Sequence, residues 1–322
     1  MNFTSRAPLH SNLCGIAASL ALAMSFSVSA ESGCPQHYSG DAPHLVNQKL
    51  RQNTRELCAL HFAVLHSGVT RTPIYTAEAL TRETVGDAKE QIRYNNFHPD
   101  PRLPANERSE LRDYARSGYD RGHMAPSGDM PTLEAQQESF ALSNMIPQNP
   151  PNNRYLWAGI ESTTRQLAKK SARLYVISGA MFVGERIKTV GGRVMVPTHL
   201  FKAIYNPKTG EAAAYLVRND VGGDYAVVDL ATLATLSGIR TFPSAKFRVA
   251  EIALLAPVVR GSKSGHYGRV DAKTIMAVGT VYSPSSAASK RLPGNAMTSS
   301  SHPLVARYAT TVLKRLNHFA QL

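Results

Sequence analysis

The chain has 322 residues, enough to bury a core as one large domain or two modest ones. Hydrophobic residues make up 43% and charged residues 18%, which excludes a disordered composition. Lys and Arg number 36 against 23 Asp and Glu, a net charge of +13, so an anionic partner is expected: nucleic acid, an acidic glycan or anionic lipid.

Residues 1–30 read as a signal peptide. Arg6 precedes an apolar, small-residue run from Leu13 to Val28, and Val28-Ser29-Ala30 has the small-x-small pattern of a cleavage site. The expectation is a periplasmic or secreted protein, cleaved near Ala30, with no membrane span afterwards. Cys14 falls in this leader. Cys34 and Cys58 are then an even pair, and in an oxidising compartment a disulfide is their simplest state. The absence of CxxC and HExxH patterns disfavours zinc.

Residues 31–56 form a polar lead-in. Ala59 to His66 and Thr72 to Leu80 read as strands. Arg93 to Pro104 is rich in Asn, Asp and Pro and is expected to be loop. After Pro150-Pro151, Asn152 is placed as an N-cap and Asn153 to Lys170 as a helix with Leu156, Ile160 and Leu167 on one face. Leu174 to Val183, Val194 to Ile204 and Ala213 to Val217 read as strands, the last two joined by the turn Asn206-Pro207-Lys208-Thr209-Gly210. Val227 to Leu236 is expected to be a helix ending at Gly238, and Thr274 to Tyr282 a late strand. Strands and helices mix without a regular βαβ rhythm, which points to the α+β class. From Arg260 onward Lys and Arg stand at nine positions against the single acid Asp271. Ser283 to Ser301 reads as flexible and Arg307 to Leu322 as a short basic helix, so residues 246–322 form a late strand plus a basic extension. That extension is either a solvated tail or an arm for a polyanion.

The densest chemistry lies in Asp120-Arg121-Gly122-His123, then Leu142-Ser143-Asn144 to Gln148, then Asn153 to Glu161 and Arg165. His123 is the natural general base near neutral pH. Arg121, two residues away in an extended segment, faces the same side and can hold a phosphate by two hydrogen bonds. Gly122 permits a close backbone approach. The Asn153 amide oxygen suits Mg²⁺, an ion that keeps most of its waters. Glu161, about 12 Å further along an α-helix, is too distant to share that ion and fits a role through water or a phosphate-holding arginine. Arg165 stands at ion-pair spacing from Glu161. Trp157 is read as core. Taken singly, each residue also has a structural reading, as a core histidine, a surface ion pair or a helix cap. The joint order is what carries information. GxSxG and P-loop patterns are absent, which disfavours serine hydrolases and NTPases.

DRGH, LSN-x-x-PQ and N-x-x-x-W-x-x-x-E in this order resemble the DNA/RNA non-specific endonucleases, which include secreted bacterial nucleases and mitochondrial endonuclease G. The resemblance runs from about Leu57 to Pro243. It implies the ββα-metal (His-Me finger) fold over residues 57–245, with a central, mainly antiparallel sheet flanked by helices. It also implies a sugar-non-specific endonuclease acting on DNA and RNA. In that frame His123 is the general base, Asn153 the protein ligand of Mg²⁺ (Mn²⁺ as a substitute) and Glu161 the acid that orders the metal's water. Arg121 stabilises the transition state, and Arg165 and Arg93 contact phosphate. Asn144 is placed among the supporting substrate-side residues. A homodimer is compatible with the resemblance, and an inhibitor protein, which would leave no trace in this chain, is left open. The alternative is a catalytically weak extracellular nucleic-acid-binding protein of the same fold.

Overall fold

The computed structural model describes Met1 and residues 32–247, 254, 256–259 and 267–277. The chain divides into two units, residues 1–280 and 281–322, and every described residue belongs to the first. The leader, residues 278–282 of the expected late strand, the Ser283–Ser301 segment and the expected helix at Arg307–Leu322 lie outside the described residues.

The frame is a seven-stranded sheet. Its strands are β1 (Thr54–Cys58), β2 (Phe62–Ser67), β3 (Thr72–Thr81), β6 (Arg173–Met181), β7 (His199–Asn206), β8 (Glu211–Arg218) and β9 (Tyr225–Val228). They lie in the order β9-β8-β7-β6-β3-β2-β1, antiparallel throughout. A separate two-stranded ribbon, β4 (Asp120–His123) with β5 (Met145–Gln148), stands apart from this sheet.

Both faces of the central sheet are covered, so its inner strands do not alternate. All eight residues of β7 are buried. Phe201, Ala203 and Tyr205 point to one face, where they meet Ile177, Ala77, Leu216 and Leu233 of helix α4 (Leu230–Ser237). Leu200 and Ile204 point to the other. There they meet Val176, Leu80 and the apolar stripe Leu156, Trp157, Ile160 and Ala168 of the long helix. That helix, with α3 (Ala158–Lys170) as its regular part, is pinned to the sheet by this stripe. Short α1 (Arg82–Asp87), entered through a Thr81–Thr84 capping box, packs beside it, and α2 (Leu133–Ser139) is capped by Thr132. Cys34 and Cys58 form a disulfide that ties the start of the described chain to β1. Closing a loop of this length is worth about 3 kcal/mol in the chain-entropy view. Among the described residues no helix is long and apolar enough to cross a membrane.

The elements differ from the sequence expectation in instructive places. The edge strand β1 begins inside the lead-in, at Thr54, and Leu57 is its single buried residue, too sparse for a periodic signal. Val194 to Ile204 splits. Val194–Met195 pairs with Thr189–Val190, and β7 begins only after Pro197, which has no N–H to give a ladder. Val227 and Val228 belong to β9, and the helix starts three residues later than expected, at Leu230, because Asp229 is its N-cap, its Oδ1 accepting from the Thr232 amide. That helix ends as expected at Gly238, whose φ of +73° only glycine adopts easily. Thr274 falls in a helix, α5 (Ala272–Met276), because Asp271 Oδ1 caps its amide and Ile275 enters the core. A short apolar run alone does not separate helix from strand. Asn152 is not an N-cap. Helical geometry already begins at Pro150, and residues Asn152–Trp157 form a π turn that runs into α3.

Candidate active site

The ribbon and the long helix enclose a cleft of about 980 Å³ lined by Arg93, Phe97, Asp120, Arg121, His123, Asn153, Glu161 and Arg165, among others. The ribbon register places Arg121 opposite Pro147 and His123 opposite Met145, and the extended backbone turns both odd-numbered side chains to the cleft. Gly122 between them is required by space. A Cβ there would sit 1.9 Å from Gln148 Oε1 and 2.6 Å from Gln148 Cβ.

His123 is 8% exposed and sits between Phe97 and Phe140, with ring centroids 5.8 and 4.9 Å away. Its Nε2 is buried without a hydrogen-bond partner, so Nδ1 is the nitrogen that opens to the cleft. Burial, reinforced by the positive charge of Arg93, lowers its pKa to about 3, and the imidazole is neutral at physiological pH. The arginines stack on the same aromatic pair. The Arg121 guanidinium lies 4.0 Å from the Phe97 ring centroid and that of Arg93 lies 5.3 Å from Phe140. Arg93 also donates to Ser127 Oγ at 2.8 Å and to Asn95 Oδ1 at 2.8 Å, which fixes it in the cleft.

Asn153 Nδ2 donates to Asp120 Oδ2 at 2.9 Å, and Arg154 closes on both oxygens of the same carboxylate at 2.8 and 2.7 Å. Burial raises the Asp120 pKa, but the bonds from Arg154 and Asn153 and the charges of Arg154 and Arg121 outweigh it and hold the carboxyl below its ordinary range. Asp120 thus fixes the Asn153 amide with its nitrogen inward, leaving Oδ1 as the acceptor available to the cleft. Asn152, its neighbour, faces the other way, accepting from Gln148 Nε2 at 2.7 Å and donating to the Arg218 carbonyl at 2.9 Å. Such π turns recur at functional sites, and here one turns two adjacent asparagines to different tasks.

Glu161 is partly buried on α3, and burial raises its pKa to about 7 against the lowering charges of Lys202 and Arg165. Arg165 does not form the expected ion pair with Glu161. Its guanidinium bonds the buried Asp129 at 2.7 Å, and Glu161 acts on it only through its field. The reason is the turn Ser127–Asp129, between the two strands of the ribbon, which delivers Asp129 to the helix surface. Asn144 is also corrected. It is fully buried, and its amide is spent inside the protein, accepting from the Ala125 amide at 2.9 Å and donating to the Ala125 and Ser139 carbonyls at 2.8 Å each. It positions the segment after His123 and does not reach substrate. The sequence reading also gave no role to Asp120, Asp129 or Phe140. Asp120 stands first in DRGH and had a signal there; the other two are brought in by tertiary contacts alone.

The cleft suits a largely hydrated divalent ion. Asn153 offers one hard, neutral oxygen and Glu161 an acid at a distance. Among the described residues the one close group of three His, Cys, Asp or Glu ligands is Cys34, Glu56 and Cys58, whose sulfurs are joined to each other. No cage that would strip an ion of its waters is therefore present among them.

An antiparallel ribbon carrying a neutral histidine, followed by a helix that presents an asparagine and a glutamate to one cationic cleft, defines the ββα-metal nuclease fold. Residues 42–246 match the sequence profile of the DNA/RNA non-specific endonucleases, and the chain belongs to that family. It is similar to "Nuclease 1, mitochondrial" of Schizosaccharomyces pombe, 38% identical over 155 residues that cover 44% of this chain and 48% of the relative. It is also similar to "Nuclease EXOG, mitochondrial" of Xenopus laevis, 34% identical over 206 residues covering 57% of each. The chain thus spans about half the length of these curated relatives. Among solved structures, a chain of the EndoG/EndoGI complex superposes with a TM-score of 0.53 at 26% identity, over 61% of this chain and 90% of that one. These relatives overturn the periplasmic or secreted location expected from residues 1–30, because both curated proteins are named as mitochondrial.

Proposed function

We propose that this protein is a sugar-non-specific endonuclease that hydrolyses phosphodiester bonds of DNA and RNA with Mg²⁺ as its ion. The observation that carries the proposal is the meeting, in one cleft, of a neutral His123 with an Asn153 amide held by Asp120.

His123 Nδ1 accepts a proton from water as the water oxygen attacks phosphorus in line with the leaving oxygen. The attacking P–O bond forms while the bond to the leaving oxygen breaks. Arg121, Arg93 and Arg165 hold the scissile phosphate and stabilise the charge that grows on it. The stacking of Arg121 and Arg93 on Phe97 and Phe140 sets the guanidinium planes before substrate arrives, which lowers the cost of ordering them. Asn153 would hold the ion and Glu161 would order its water; when bound, the ion supplies Lewis-acid stabilisation of the leaving oxygen. Every contact named is to phosphate, and phosphate carries no sequence, so little base or sugar preference is expected.

The test is incubation of the purified protein with plasmid DNA and with RNA, each with Mg²⁺ and with EDTA, beside His123→Ala. Metal-dependent loss of both substrates that His123→Ala abolishes supports the proposal. Shifted but uncut nucleic acid in every lane overturns it in favour of a binding protein of the same fold.

A further inference from the structure

A second groove, of about 610 Å³, adjoins the active-site cleft and shares Gly128, Arg154, Ala158 and Arg165 with it. It runs between the end of α1 and the outer face of α3, and no Asp or Glu lines it. Two of its four cations already have partners, Arg154 with Asp120 and Arg165 with Asp129. The other two, Lys89 and Lys169, have no ion pair among the described residues.

These two lysines line the same groove, one from the segment after α1 and one from the last turn of α3. The Lys89 ammonium lowers the Lys169 pKa, as a neighbouring like charge does. Lys169 alone is accounted for by its place in the last turn of α3, where a cation complements the helix dipole. A second ammonium beside it is unfavourable without an anion between them. Along α3, Glu161, Arg165 and Lys169 recur every four residues and form one stripe leading out of the cleft. At 1.5 Å per residue, Lys169 lies about 12 Å from Glu161 along α3, the axial rise of about three to four nucleotides of a duplex strand at 3.4 Å each.

We propose that Lys89 and Lys169 form a phosphate subsite that holds the backbone of a nucleic-acid strand about three to four nucleotides from the scissile bond. The proposal rests on the nuclease reading above and adds to it a direction for the bound strand and a minimum productive length.

The experiment measures duplex DNA binding by fluorescence anisotropy between 50 and 200 mM KCl, with Mg²⁺ present. The parent for this assay is His123→Ala, compared with the same protein carrying Lys89→Gln and Lys169→Gln. Losing two phosphate contacts lowers the slope of log affinity against log salt by about 2. A control pair on exposed lysines away from the groove, Lys188→Gln with Lys208→Gln, leaves the slope nearly unchanged. In the His123 enzyme, Lys89→Gln/Lys169→Gln raises KM for long DNA several-fold while cleavage of a dinucleotide is unaltered, because so short a substrate does not reach the pair. An unchanged slope, or an equal loss in the control pair, overturns the subsite and leaves the nuclease reading intact. A His123→Ala parent that does not bind nucleic acid, together with a His123 enzyme that does not cut it, overturns both.

Discussion

Trp157 Nε1 donates a hydrogen bond of 3.3 Å to the main-chain carbonyl of His123. The bond joins the π turn to the ribbon, so the element that carries Asn153 is tied directly to the residue that carries the imidazole. Lys202, buried in the sheet beneath, sets its ammonium 5.3 Å from the Trp157 ring centroid and bonds Ser178 Oγ at 2.6 Å. The tryptophan is therefore core in its packing, as its sequence context suggests, and a positioning residue in its polar contact.

Trp157→Phe keeps most of the apolar volume and removes the donor. It is expected to cost about 1–3 kcal/mol from the unpaired His123 carbonyl and the small void. Cleavage is expected to fall mainly in kcat, with KM little changed, because the binding arginines are untouched. Thermal unfolding and steady-state kinetics on one substrate check both halves.

Asn144→Ala leaves three buried main-chain groups of Ala125 and Ser139 without their partner. The expected loss is about 2–4 kcal/mol. A Tm lower by about 5–15 °C follows for a domain of this size. Residual activity measured well below the new Tm should bind DNA with unaltered affinity, since Asn144 does not face the cleft.

Glu161 has a folded pKa raised to about 7 by burial. Between its ordinary carboxyl range and pH 7 the folded state holds the extra proton, so this residue's contribution to stability falls as pH rises through that window, and the penalty is complete above pH 7. Glu161→Gln removes the penalty. In EDTA its Tm should exceed the parent's at pH 8, by an amount corresponding to about 1–3 kcal/mol, and match it near pH 4. Activity should fall steeply in the same variant. Equal Tm differences at both pH values would refute the assignment.

His123 shifts the other way, to about 3. The unfolded chain binds its proton below about pH 6.5 while the folded protein does not, so the histidine costs stability as pH falls from 6.5 towards 3 and nothing above 6.5. His123→Phe is therefore expected to be more acid-resistant than the parent, seen as a lower midpoint in acid unfolding.

Gly122→Ala drives a methyl group into Gln148, which is itself buried and bonded to Asn152. Relief requires β4 and β5 to part, and His123 moves with β4. Loss of activity by about 100-fold or more is expected from a shift of that kind. An unaltered rate with normal folding would show that the ribbon yields without cost.

The sequence by itself determined the family and picked out most of the residues that the fold brings together in the cleft. DRGH, the asparagine after the prolines and the glutamate on the following helix are local patterns, and the shared direction of Arg121 and His123 follows from strand geometry within a few residues. The Cys34–Cys58 pairing was legible from the cysteine count, and the inner strands β3 and β6 from their apolar runs. Only the tertiary structure decided what each polar group is bonded to. Arg165 pairs with Asp129 and not with Glu161, because a turn 36 residues earlier places a buried carboxylate against the helix. Asn144 is spent on the main chain of Ala125 and Ser139, and Asn153 is aimed by Asp120 across 33 positions of sequence. The neutral state of His123 comes from Phe97, Phe140 and Arg93, none of which adjoins it in the chain. Hydrogen-bond partners and burial are long-range properties, and they select among the roles that local residue type allows.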